Sequence, residues 1–204
     1  MSEIREQVDD AVTIEGGADA EQAKAVLRNP RFLALFGSQI FTQVGGNIVL
    51  FGLTVTVFGL TDSNTAVSIL LLTFLVPAVV FGAIAGVFVD MFDRRQILIW
   101  TNFLRGAMYL LLLIFPDQLL VIYIVTAVVA TLTTFFGPAE AAMIPLVVKR
   151  EQLLTANSFF ILMLQASFVL GFALLGPLAV TFLGYEPLII IVAVLYGVAG
   201  LLCW

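Results

Sequence analysis

Long stretches without charge dominate this sequence. No charged residue occurs from Phe32 to Thr61, and the apolar runs of the chain lie at about 32–60, 65–89, 97–115, 119–145, 153–183 and 188–204. A helix of about 20 apolar residues spans the roughly 30 Å hydrocarbon core of a bilayer. Only helices and closed barrels satisfy their backbone polar groups in lipid. The pattern therefore predicts an all-α membrane protein, a bundle of six transmembrane helices over residues 32–204 in contact with the lipid bilayer.

The composition excludes several classes of function. Hydrophobic residues make up 61% of the chain and charged residues 11%, whereas soluble domains are about half apolar and a quarter charged. The sequence has no histidine and one cysteine, Cys203, so we expect no His/Cys metal site, no Ser-His-Asp triad and no disulfide framework. We expect no enzyme activity and no cofactor. Without a basic stripe, nucleic acid is not an expected partner.

The N-terminal tail differs from the rest of the chain. Half of the fourteen acidic residues lie within the first 21 positions. Low hydrophobicity and high charge are typical of disordered segments. We expect residues 1–31 to form an acidic, largely disordered and solvated cytoplasmic tail, with a short surface helix over Ala20–Leu27.

The basic residues indicate an orientation. Cytoplasmic loops of membrane proteins carry an excess of Lys and Arg. Four basic residues lie in the tail, two follow the second apolar run and two follow the fourth, whereas the loops after the first, third and fifth runs have none. The sequence therefore predicts a multi-pass protein of the cell (inner) membrane with a cytoplasmic N-terminus.

Three amides of the first apolar run, Gln39, Gln43 and Asn47, are spaced four residues apart. Positions i, i+4 and i+8 share one face of a helix. A polar group within lipid must line a wet cavity or find a partner. The three side chains are therefore candidates to line a substrate path or, equally, to form interhelical hydrogen bonds.

Arg105 is the one basic residue inside an apolar run, ten residues beyond Arg95. At 1.5 Å per residue it lies roughly 15 Å deep, so it needs a partner. The candidate partners are Asp90, Glu140 and Asn102. The sequence leaves open whether Arg105 forms a structural ion pair or takes part in moving substrate or protons. The same alternatives apply to Glu140, which follows a Gly-Pro pair.

The fifth apolar run carries two further candidates for the substrate or proton path. Asn157 and Gln165 are eight residues apart and share a helix face. Gly176-Pro177 predicts a bend later in the same helix, because proline lacks a backbone N–H. Interruptions of this kind suit helices that rock against their neighbours.

Residues 86–95 carry a family resemblance. They read Gly-Val-Phe-Val-Asp-Met-Phe-Asp-Arg-Arg, which resembles the signature between helices two and three of the major facilitator superfamily, roughly Gly-x-x-x-Asp-Arg-x-Gly-Arg-Arg. Met91 stands where a basic residue is usual, and Asp93 where glycine is common. The resemblance implies a cytoplasmic loop signature at Gly86, Asp90, Asp93, Arg94 and Arg95.

Two later stretches extend the resemblance. Residues 137–158, from Gly-Pro-Ala-Glu to Ala-Asn-Ser, are similar to the branch that contains the enterobactin-type exporters and related efflux proteins. Gly176-Pro177 resembles the core of the antiporter signature Gly-x-x-x-Gly-Pro-x-x-Gly-Gly. The flanking glycines of that signature are replaced here by Phe172, Val180 and Thr181.

The resemblance covers residues 32–204 and implies the N-terminal six-helix half of a major facilitator fold. Such proteins place their substrate between two halves. The expected function is proton-coupled export of a small organic compound, such as a drug, siderophore or metabolite, by alternating access. An importer of the same fold and a non-transporting scaffold or regulator are the alternatives. The proton gradient is the expected energy source, and the expected partners are the substrate and either a missing C-terminal half or a second copy.

The topology makes a direct prediction. In a Cys203→Ser background, Asp62→Cys and Lys149→Cys are expected to react with a membrane-impermeant thiol reagent from opposite sides of the membrane. The measurement is labelling of intact cells compared with inside-out vesicles. Labelling of both positions from one side would contradict the six-helix order.

Overall fold

The computed structural model describes residues 21–204, and the expectations for residues 1–20 lie outside that part of the chain. Within it, six helices are long and apolar enough to cross a membrane. They are α1 (Pro30–Thr61), α2 (Asn64–Met91), α3 (Arg94–Ile114), α4 (Leu119–Val147), α5 (residues 153–183, in four consecutive helical segments) and α6 (Tyr185–Leu202). The predicted class, an all-α bundle with six candidate spans, is confirmed.

Local chemistry defines the ends of the helices. Asn29 caps α1 by accepting hydrogen bonds from the backbone N–H groups of Arg31 and Phe32. Ser63 caps α2 and Asp93 caps α3 in the same way. The sixth helix begins at Tyr185, three residues before the apolar run from Leu188. Proline is tolerated in a first helical turn, because its missing N–H has no partner there, so Pro187 falls inside α6 and Gly184 alone makes the turn.

The helices alternate in direction and pack in a defined order. The main contacts join α2 to α4, α4 to α3, α3 to α6, α6 to α1, and α1 to α5. One apolar cluster, which includes Phe32, Leu98 and Phe160, lies at the end of the bundle that carries Arg31, Arg94 and Lys149. We call this the basic end. A second cluster, around Leu53, Leu112 and Leu188, fills the opposite half.

A short helical segment, residues 21–27, precedes α1 and contacts the basic end. Val26 is fully buried in the apolar cluster there. Asn29 donates a hydrogen bond from its side chain to the carbonyl of Val147 at the end of α4. Gln22 accepts one from Thr155 of α5 at 3.4 Å. The segment therefore ties the start of α1 to the junction of α4 and α5.

The fifth helix is irregular where it meets α1. It widens into π-helical turns at Val169–Leu175 and Ala179–Leu183, on both sides of Gly176–Leu178. A Cβ atom at Gly171 would lie 2.7 Å from Cβ of Asn47, and one at Gly176 would lie 2.7 Å from Cβ of Phe51. The two glycines therefore allow the backbones of α5 and α1 to approach closely.

This close approach predicts that Gly171→Ala destabilises the bundle. The new methyl group would also lie 2.9 Å from the Val44 carbonyl oxygen, and backbone atoms cannot move aside as a side chain can. Overpacking of this kind costs about 1–3 kcal/mol. The measurement is thermal unfolding of the purified protein in detergent.

Gly82→Ala on α2 is the matched control. A Cβ atom at Gly82 meets nothing within 4 Å, and alanine is the better helix former. The control is therefore expected to unfold at the parent temperature or above it. Equal stability of the two variants would argue against tight α1–α5 packing.

Candidate functional site

A cavity of about 320 Å³ lies at the junction of the two apolar clusters and is lined by α1, α2, α3, α4 and α6. Six of its lining residues carry polar side chains other than tyrosine: Thr42, Gln43, Asn47, Arg105, Thr133 and Thr134. Four are aromatic: Phe74, Tyr109, Phe136 and Tyr196. Binding sites for small molecules commonly combine an apolar wall with a few placed polar groups.

Arg105 forms the inner wall of this cavity, with 1% of its surface exposed. Its Nη2 donates to Oδ1 of Asn102 at 2.8 Å, and its Nε donates to the Thr101 carbonyl at 3.1 Å. Nη1 donates to the Thr133 hydroxyl at 3.4 Å. The guanidinium carbon also lies 4.3 Å from the ring centre of Phe136 and 4.9 Å from that of Tyr196. Helices α3, α4 and α6 thus enclose the charge.

The partner of Arg105 is an amide rather than a carboxylate. Of the three expected candidates, only Asn102 contacts the guanidinium. Between residues 21 and 204, the single ion pair joins Arg94 to Asp90 at 3.5 Å. Neither Asp90 nor Glu140 therefore lies within salt-bridge distance of Arg105.

Asn102 is the centre of a polar network that connects three helices. It is fully buried, and its Oδ1 accepts a hydrogen bond from Thr42 of α1 at 3.0 Å as well as the bond from Arg105. Its Nδ2 donates to the hydroxyl of Ser38 at 3.4 Å. Ser38 in turn donates to the Ala199 carbonyl of α6 at 2.9 Å. The network satisfies polar groups that lipid cannot satisfy.

The three amides of α1 have different surroundings. Gln43 and Asn47 line the cavity, and within residues 21–204 their side chains form no hydrogen bond to the protein. Gln39 is buried outside the cavity, and its Oε1 has no hydrogen-bond partner in that part of the chain. The predicted polar face of α1 therefore supplies two residues to the cavity rather than three.

Glu140 is a second buried polar residue without a partner. It is 8% exposed, and its Oε1 has no hydrogen bond among the described residues. It does not line the cavity, but it lies one helical turn beyond Phe136, which covers one face of Arg105.

Other predicted site residues lie outside the cavity. Asn157 and Gln165 are exposed on α5. The loop signature is held at the basic end, where Asp93 accepts hydrogen bonds from the N–H groups of Arg95 and Gln96 and so caps α3. Arg95 donates from Nε to the Cys203 carbonyl at 2.9 Å. The aspartate that replaces a common glycine thus has a local structural role.

Several residues that line the cavity could not be recognised as site residues from the sequence. Tyr109, Phe136 and Tyr196 are apolar enough to be typical of any membrane helix. Thr133 and Thr134 satisfy their hydroxyls by donating to backbone carbonyls one turn earlier, so they too are unremarkable in an apolar run. Among these residues, only Tyr109 could have been found from the sequence, because it lies four residues, or one helical turn, beyond Arg105.

The described part of the chain thus combines six helices that are long and apolar enough to cross a membrane with a polar cavity lined by five of them. The sequence profile of the Major Facilitator Superfamily matches residues 21–204, and the chain belongs to this family. Its members are transporters, not enzymes.

Two curated relatives come from Bacillus subtilis (strain 168). The uncharacterized MFS-type transporter YfiS is 26% identical over 161 residues, which cover 78% of this chain and 38% of the relative. The uncharacterized MFS-type transporter YkuC is 23% identical over 182 residues, which cover 87% of this chain and 42% of the relative. The chain thus spans about two fifths of the length of these relatives. No solved structure matches significantly.

The network around Asn102 predicts that Asn102→Ala lowers the stability of the bundle. The change leaves Arg105 and Thr42 without their shared acceptor, and losing a buried hydrogen bond to a charged group costs about 1–3 kcal/mol. Thermal unfolding in detergent measures the loss. Asn64→Ala is the control, because Asn64 is exposed at the start of α2. Equal unfolding temperatures would show that the network contributes no stability.

Proposed function

We propose that this chain is the first half of a secondary transporter that exports a small organic compound in exchange for protons. Membership of the family supports transport. The cavity carries the proposal, because its lining of aromatic and polar side chains is typical of sites that bind small molecules. The similarity of residues 137–158 to efflux proteins favours the export branch. The N-terminus and the basic end would face the cytoplasm, as the distribution of Lys and Arg indicates.

A second six-helix half, or a second copy of this chain, would complete the site. Major facilitator proteins bind substrate between halves that rock around a central site. Here α2 and α5 leave many large apolar side chains exposed, among them Val79, Leu154 and Phe182. Lipid and the second half would share these surfaces. Alternating access then follows from the movement of one half against the other.

Glu140 is the residue that we assign to proton transfer. A carboxyl group buried without a hydrogen-bond partner is costly when ionised, so it is expected to bind and release a proton as its surroundings change. Pro138 precedes it by two residues and removes one backbone hydrogen bond from α4. A change of helix geometry at this proline would change the surroundings of the carboxyl group.

The proposal predicts solute movement driven by a pH gradient. The full-length protein would be reconstituted in vesicles and tested with three fluorescent probes: naphthalenesulfonate, naphthalenesulfonamide and naphthyltrimethylammonium. The charged probes keep their charge at all working pH values, so a pH gradient alone does not redistribute them. With an acidic lumen, outward proton flow is expected to drive uptake of at least one probe.

Glu140→Gln separates coupling from binding. The variant is expected to lose uptake that depends on the pH gradient but to keep exchange of external probe for probe already inside, because glutamine preserves size but does not titrate. Glu186→Gln, at an exposed position of α6, is expected to behave as the parent. Uptake by the parent that ignores the pH gradient would refute proton coupling, and gradient-driven uptake by Glu140→Gln would remove this residue from the proton path.

A further inference from the structure

We propose that the solute bound in the cavity is an organic anion with a flat apolar body. This inference rests on the proposed transport function and adds the substrate class. The anionic group would lie beside Arg105, and the apolar body against the aromatic wall. Amide groups of α1 would bind the remaining polar atoms.

The charge of the cavity carries the first step. Among the described residues that line it, Arg105 is the only charged one. No carboxylate within residues 21–204 lies within 4 Å of its guanidinium group, since the one ion pair there is between Arg94 and Asp90. A charge buried away from water acts strongly on its surroundings because the local dielectric constant is low. The one charge in the described lining of the cavity is therefore positive, which favours anions over cations.

The aromatic wall carries the second step. Aromatic ring faces are the usual site for organic cations, but here the nearest faces are already occupied. Phe136 and Tyr196 both contact the guanidinium of Arg105, at 4.3 Å and 4.9 Å. Phe74 and Tyr109 also line the cavity, and they offer surface to a flat apolar body. The wall thus suits an aromatic or polycyclic solute without a positive charge.

The unused hydrogen-bond donors carry the third step. Arg105 uses three N–H groups in the bonds described above, out of the five that a guanidinium group offers. The Gln43 and Asn47 amides have no protein partner within residues 21–204. By contrast, the hydroxyls of Thr133 and Thr134 already donate to backbone carbonyls. The unused donors therefore include N–H groups of Arg105, Gln43 and Asn47, which suit carboxylate, sulfonate or phosphate oxygens.

The test compares the three naphthalene probes, which share one apolar body and differ in charge. Binding to the full-length protein in detergent would be measured by titration calorimetry. Naphthalenesulfonate is expected to bind at least tenfold more tightly than naphthalenesulfonamide, and naphthyltrimethylammonium is expected to bind most weakly. Equal affinities, or tighter binding of the ammonium compound, would overturn the proposal.

Two variants locate the effect. Asn47→Ala is expected to fold as the parent, because the Asn47 amide forms no hydrogen bond within residues 21–204 and alanine keeps the Cβ atom that faces Gly171. The variant is expected to weaken binding of the sulfonate and the sulfonamide by a similar factor. Arg105→Gln is expected to abolish the preference of the sulfonate over the sulfonamide. If Arg105→Gln does not fold, Arg105→Lys retains the positive charge and is expected to keep the order of affinities. An unchanged preference in a folded Arg105→Gln protein would refute the role of Arg105.

The transport assay separates this inference from the proposed function. Selective binding of the sulfonate without gradient-driven uptake would leave the substrate class intact and refute proton coupling. Gradient-driven uptake of the ammonium probe alone would support proton-coupled transport and refute the anionic class.

Discussion

The burial of one guanidinium group in the middle of an apolar bundle is the constraint on which the centre of this structure depends. Arg105 is almost fully buried, so residues of its own and neighbouring helices supply most of its partners. Asn102 and the Thr101 carbonyl come from its own helix, Thr133 and Phe136 from α4, and Tyr196 from α6. Asn102 extends the contact to Thr42 of α1. Four of the six helices are thereby fixed around one charge, and the cavity lies beside it.

The spans were predictable because lipid imposes a simple rule on sequence. Any helix that crosses the bilayer needs a long apolar run, and polar residues mark the turns. Asn102 was also predictable as a partner of Arg105, because residues three apart on a helix are neighbours. The contacts of Thr133, Phe136 and Tyr196 with Arg105 were not, because they depend on how α4 and α6 are rotated and shifted against α3. Runs that are apolar on every side do not encode that rotation. For the same reason the spacing of the three amides of α1 did not show that Gln39 lies outside the cavity that Gln43 and Asn47 line.

The packing of α5 against α1 depends on glycines, whose lack of a side chain lets the two backbones approach closely. Gly171 and Gly176 meet α1 at Val44, Asn47 and Phe51, one of which lines the cavity. In lipid, where apolar surface alone does not favour association, such close contacts are a principal source of helix pairing. The π-helical turns lie on both sides of Gly176 and therefore in the part of α5 that contacts the cavity-lining segment of α1. A change in the geometry of α5 would be transmitted to Asn47 directly.

The two proposals constrain each other through Arg105. A proton on Glu140 removes a negative charge near Arg105, and an anion bound in the cavity adds a negative charge there. In a single conformation, protonation of Glu140 and binding of the anion would therefore favour each other. Two ligands that favour each other in the same conformation tend to move in the same direction. Export in exchange for protons therefore requires that Glu140 and Arg105 interact differently in the inward-facing and outward-facing states, so that proton and anion are not bound together. Pro138 lies on α4 between Glu140 and Phe136, the residue that covers Arg105. Because proline removes a backbone hydrogen bond, α4 can change its geometry most easily at this point. The membrane potential also favours export of an anion. An anion that leaves a negatively charged interior lowers its electrostatic free energy by about 2.3 kcal/mol per 100 mV.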